Sequence, residues 1–197
     1  MSSVLHAYEM IPLFQAGIVL GAALIAGHAV MLLRAGWVQS VLLTVHRSHT
    51  LASALLAVDF LWIFLLVADI PITRMGVDLD LFAGLKPYLM LLCPLMWILM
   101  IVYVKEQLFP RALGLFLLLL VCPFLHAAFL EDPITRLLIP AWAYAIIVLA
   151  LLWVAKPYLF HRMAEWIVAR RGVYESLTWL GLMYGVAVLL CSFLFWR

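Results

Sequence analysis

The sequence predicts an all-α polytopic membrane protein, a bundle of six transmembrane helices with a short amphipathic helix along its cytoplasmic surface. Three observations carry that reading. Of 197 residues, 69% are hydrophobic and only 11% are charged, against about 45–50% and 25% in a typical soluble domain, and mean hydropathy is +1.19. Too few polar side chains remain to cover a water-soluble body. The charged residues fall in clusters separated by apolar stretches of the length that crosses a hydrocarbon core of ~30 Å at ~1.5 Å per residue. Prolines gather at the ends of those stretches. Helices are the economical form, because open strands would leave backbone groups unpaired in lipid and the alternating pattern of a membrane barrel is absent.

The first span, residues 11–33, opens beside Pro12 and ends at Arg34. Gly17 and Gly21 form a small-x-x-x-small step that Ala22 and Ala26 repeat, so another backbone, of this chain or of a second subunit, can approach it closely. No Lys or Arg precedes Arg34, so the basic start of a cleavable signal is missing and the span is expected to be retained. The second span, 50–69, lies between Arg47 and Asp69 and is interrupted by Asp59. The third, 87–104, runs from Lys86 to Lys105; the fourth, 111–130, from Arg111 to Glu131. The fifth, 136–155, ends at Lys156, and the sixth, 174–196, between Glu175 and Arg197. Pro71, Pro87, Pro110, Pro133 and Pro157 sit at or near ends, where a missing N–H is tolerated. Pro94, Pro123 and Pro140 lie inside spans and are expected to kink them. With short links and no Gly/Ser linker, residues 1–197 read as one transmembrane domain.

Two segments suit the membrane surface. From Tyr158 to Arg171, Leu159, Met163, Trp166 and Ile167 share one helical face while Arg162, Glu165, Arg170 and Arg171 lie elsewhere, the pattern of an interfacial helix beside anionic headgroups. Trp37 to Thr44 is a weaker case. Tyr8, Phe82, Tyr88 and Trp196 are expected as an outer aromatic belt, and Trp37, Tyr103, Phe109, Tyr158, Trp166 and Tyr174 as an inner one.

Orientation follows from Lys and Arg. Arg34, Arg47, Lys105, Arg111, Lys156, Arg162, Arg170 and Arg171 fall on one side, and Arg74, Lys86, Arg136 and Arg197 on the other. Basic residues of short loops stay cytoplasmic, which predicts a multi-pass protein of the bacterial inner membrane with both termini outside.

Few polar groups remain inside the membrane. Asp59 falls near the midplane, where an ionised carboxyl costs on the order of 3 kcal/mol, so an acid there is a candidate functional group facing the bundle interior. Its own helix offers only Ala52, Leu55, Leu56, Trp62, Ile63 and Leu66 one or two turns away. Tyr144, Tyr184 and Cys122 lie at similar depth, and a Tyr hydroxyl could donate to it. Loss of water favours the neutral acid. Two readings stand side by side: a proton or cation relay in a transport cycle, and a hydrogen-bonded packing lock between helices.

Histidines suggest a second chemistry. His28 lies about 10 Å to the cytoplasmic side of the midplane and His126 about 7 Å to the outer side, too far apart to share an ion. His28 could approach His46 and His49, and imidazoles on facing helices can hold a metal or haem. Border histidines are more often polar caps, and no cofactor is strongly implied. Cys93, Cys122 and Cys191 fall on the outer side, and Cys122 shares a face with His126. A copper or redox cluster of Cys93, Cys122 and His126 can be drawn, yet buried thiols usually serve packing.

No Walker loop, dinucleotide fingerprint, nucleophile elbow or zinc-protease motif is present, which makes an enzyme the less favoured class. Glu106 with His46 and His49, or Asp78 with Asp80, reads more simply as loop charge. Net charge is only +2, with no nucleic-acid footprint. The partners expected are the lipid bilayer and either further copies or a larger membrane complex. The leading reading is translocation of protons, ions or a small solute, or a subunit of something that does so. The alternatives are a non-catalytic accessory subunit and a haem- or metal-binding redox subunit.

Overall fold

A computed structural model describes Tyr8 and residues 10–68, 84–104 and 107–197. Among the described residues there are eight α-helices and no strand. They are α1 (Leu13–Leu33), α2 (Ala35–Thr44), α3 (His49–Ala68), α4 (Lys86–Tyr103), α5 (Leu108–Ala127), α6 (Leu138–Ala155), α7 (Tyr158–Ala169) and α8 (Arg171–Phe195). Six of them, α1, α3, α4, α5, α6 with the 3₁₀ turn before it, and α8, are long and apolar enough to cross a membrane. The chain is a multi-pass membrane protein.

Each border has a local cause. Pro12 precedes α1, Pro87 is in the first turn of α4 and Pro157 precedes α7, positions that need no amide donor. Pro94 and Pro123 lie inside α4 and α5. Pro140 is different. It occupies the first turn of α6, where no intrahelical donor is missing, so the kink expected from sequence has no cause there. At Arg34 the backbone leaves helical geometry (φ −125°, ψ 39°) and separates α1 from α2. Gln107, with φ 56°, turns the chain into α5.

α1 and α8 form an extensive antiparallel pair. Gly17 lies against Ser192 and the Trp196 ring, and at Gly21 a Cβ would stand 3.0 Å from the Gly185 carbonyl oxygen and the Leu189 amide nitrogen. Only glycine permits that approach. Ala22 and Ala26 lie instead on the exposed side of α1. The Tyr174 hydroxyl donates to the Met31 carbonyl across the same pair, at 2.9 Å.

The remaining spans pack in the order α4, α3, α5, α6. Gly114 brings α5 onto α6, with its Cβ position 2.8 Å from the Ala150 carbonyl oxygen. A core of Leu13, Leu20, Ala127, Ile139, Val188 and Trp196 joins the α1–α8 pair to α5 and α6. A second, of Ala52, Leu56, Leu108 and Ala112, joins α3 to α5. Elsewhere large apolar side chains such as Val19, Leu61, Leu91, Leu180 and Leu194 face outward, as lipid requires.

Some of the expected belt residues lie inside. Tyr8, Tyr174 and Trp196 are buried; Tyr8 accepts from Trp62 Nε1 at 2.7 Å and Trp196 Nε1 donates to Thr135 Oγ1 at 2.9 Å. Their polar tips satisfy the protein rather than the headgroups. α7 turns inward on Phe160 and Ala164, with Phe160 edge-on to Trp153 and Phe109, and leaves Trp166 exposed. That face is rotated from the one its apolar pattern suggested, because Phe160 finds two aromatic partners.

Candidate functional site

α3 buries only Ala52, Leu56 and Asp59, a single stripe one and two turns apart, and this stripe meets α5. Asp59 is therefore carried into the bundle by the same face that builds the α3–α5 core. Its side chain is 0% exposed, and neither carboxyl oxygen has a hydrogen-bond partner. One turn further along, Trp62 donates to the Tyr8 hydroxyl and stands edge-on to Phe116 at 6.3 Å, which closes the helix face toward that end. A groove of about 500 Å³ separates α3 from α4, lined by Ala57, Phe60, Phe64, Cys93, Pro94 and Trp97 among others. Another, of about 240 Å³, lies between α1 and α5. Asp59 lines neither.

The neighbours expected from depth do not reach this acid. Tyr144 is 63% exposed, on the lipid side of α6. Tyr184 donates to the Leu138 carbonyl at 2.5 Å, at the start of α6, and Cys122 is exposed. The rotation of α6 about its axis directs Tyr144 away.

The three histidines are likewise distributed. His28 lies on Gly181 of α8, with Nδ1 2.7 Å from its own Leu24 carbonyl. His49 is exposed and pairs with Ser53, 3.3 Å away. His46 instead packs against His161 of α7 in a tilted arrangement, ring centres 4.3 Å apart and planes 39° apart. His161 Nε2 is 3.1 Å from Glu165 Oε1, and both Nδ1 atoms of the pair are buried without a hydrogen bond. Burial first, then His161 and Arg47, holds the His46 imidazole below its ordinary value, with Glu165 opposing. Sequence reasoning passed over His161. The signal available was its place four residues before Glu165, on the helix that follows the fifth span.

Cys93 is buried beside the α3–α4 groove, whereas Cys122 and His126 are exposed on α5, and Cys191 packs at the α1–α8 core. Among the described residues, no group of three or more His, Cys, Asp or Glu side chains is placed to hold a metal ion. Neither the His28, His46, His49 set nor the Cys93, Cys122, His126 set comes together. The pairs Asp78 with Asp80, and Glu106 with His46 and His49, involve positions outside the described residues, as do Glu9, Asp69, Arg74, Phe82 and Lys105. Comparison with protein families, curated proteins and solved structures yields no match.

Proposed function

We propose that this protein moves protons, or a solute coupled to protons, across the membrane, alone or as a subunit of a larger assembly, with Asp59 as the exchanging acid. The observation that supports the reading is the enclosure of Asp59 with both oxygens unpartnered. An acid that served to lock helices would be hydrogen-bonded across them. Here it adds no such bond, and an unsatisfied buried carboxyl costs on the order of 1–3 kcal/mol even when neutral. A burden of that kind is expected at functional positions in membranes. Exchange of a proton at this carboxyl requires a donor, a cation or water to reach it, and so couples the exchange to a change in helix packing.

The clustering of Arg34, Arg47, Arg111, Lys156, Arg162, Arg170 and Arg171 at one end of the bundle supports an inner-membrane orientation with that end cytoplasmic and both termini outside. The experiment is proton flux in vesicles that enclose a pH-sensitive dye, with a potassium diffusion potential imposed. The wild type is expected to acidify or alkalinise the lumen, and Asp59→Asn to be silent while remaining folded. Equal flux from both proteins would end the proposal.

A further inference from the structure

At the basic end, the last turn of α1, the start of α2 and the first turns of α8 border an open cavity of about 430 Å³. Its lining is divided by chemistry: Gln39, Arg171 and Glu175 are polar, whereas Met31, Leu32 and Trp179 are apolar. Along α8, Arg171 and Trp179 stand about 12 Å apart at the ordinary helical rise. Because α8 enters the hydrocarbon from this end, its polar pair lies at headgroup level and Trp179 lies among the chains.

We propose that this cavity binds one phospholipid with an anionic phosphodiester and a hydroxyl-bearing headgroup, of the phosphatidylglycerol type. Arg171 is the cation of the lining; its neighbour Arg170 is turned onto the Trp166 ring, 5.1 Å from the centroid. The Arg171 Nε donates to Glu175 Oε1 at 2.7 Å. That bond uses one of the five guanidinium N–H groups and leaves the terminal fork, which matches two phosphate oxygens. Glu175 in turn can accept from a headgroup hydroxyl.

The carboxylate also argues for a lipid over a free anion. It offsets the guanidinium charge, so a soluble phosphate would gain little, whereas a lipid adds the burial of an acyl chain along Leu32 and Trp179. The wall is held in place by the Tyr174 hydroxyl on the Met31 carbonyl.

The test is native mass spectrometry of the full chain released from nanodiscs of equal phosphatidylglycerol and phosphatidylcholine. The wild type is expected to retain one phosphatidylglycerol in preference, and Arg171→Gln to lower that retention at least tenfold, as loss of a charge-assisted contact implies. Arg171 is 90% exposed in its pair with Glu175, so the substitution leaves folding intact. Arg170→Gln is expected to retain lipid as the wild type does. Unchanged retention by Arg171→Gln, an equal loss in Arg170→Gln, or displacement of the lipid by millimolar inorganic phosphate would each overturn the assignment. The last two outcomes point to diffuse surface charge and to a free anion.

Discussion

Replacing Gly21 by Ala tests whether glycine contact sets the closeness of α1 and α8. The added Cβ would stand 3.0 Å from the Gly185 oxygen, 3.0 Å from the Leu189 nitrogen and 3.1 Å from the Leu189 Cβ. None of these atoms can swing aside by changing a rotamer. Ordinary contact lies near 3.5–4.0 Å, so α8 must retreat by about half an ångström, and Gly17 and Gly185, which share the interface, lose part of their contact with it. Overpacking of this kind costs about 1–3 kcal/mol, and the better helix propensity of Ala returns about 1 kcal/mol. A net loss of about 1 kcal/mol is expected. Gly27 supplies the control on the same helix, because a Cβ there meets nothing within 4 Å. Gly27→Ala is therefore expected to gain about 0.5–1 kcal/mol from propensity alone. The two variants should differ by about 2 kcal/mol, roughly thirtyfold in the folding equilibrium. Unfolding by sodium dodecyl sulfate in mixed micelles, followed by circular dichroism, measures the difference. If Gly21→Ala proves as stable as Gly27→Ala, the close approach of the two helices is not held by this contact.

Three further outcomes are expected. Because the folded protein holds His46 below its ordinary value, facing His161, Arg47 and Glu165, protonation favours separation of α7 from the His46 turn. That contact should be complete above about pH 6.5 and weaken as pH falls further; hydrogen exchange across 158–169 should rise on acidification, and His46→Gln should flatten the dependence. Tyr8→Phe leaves the Trp62 indole N–H without its acceptor and should cost about 1–3 kcal/mol in the same unfolding assay. Tyr144→Phe removes an exposed hydroxyl distant in role from Asp59, so proton flux should equal that of the wild type; a silent Tyr144→Phe would mean that α6 turns its tyrosine toward the acid during function.

The number of spans was legible because clusters of charge and proline separate them in the chain, but not every border was: the fourth, expected over 111–130, is Leu108–Ala127, and the sixth, expected over 174–196, is Arg171–Phe195. The second span, expected over 50–69, is His49–Ala68, and the fifth, expected over 136–155, is Ile134–Ala155. The position of Asp59 midway along α3 was legible for the same reason, since axial position follows from counting residues. Rotation about the axis was not. In α3 and α6 the face toward lipid and the face toward protein are both apolar, so nothing in the pattern tells Asp59, which turns inward, from Tyr144, which turns out. Gly17 and Gly21 are informative because size, rather than polarity, separates a packing face from a lipid face. The pairing of His46 with His161 joins two short elements far apart in sequence, and depends on how Phe160 seats α7, which a single-helix pattern does not contain.

The pairing of α1 with α8 has a consequence for biogenesis. The bond from Tyr174 to Met31 closes a separation of 143 residues, so at 5–20 residues per second α1 waits on the order of ten seconds in the bilayer before its partner is synthesised. During that interval its glycine seam is open to lipid or to any other helix that offers small residues. An insertion factor that shields the seam would raise the yield of correctly assembled protein, and ribosome stalling between α6 and α8 would lengthen the period of risk.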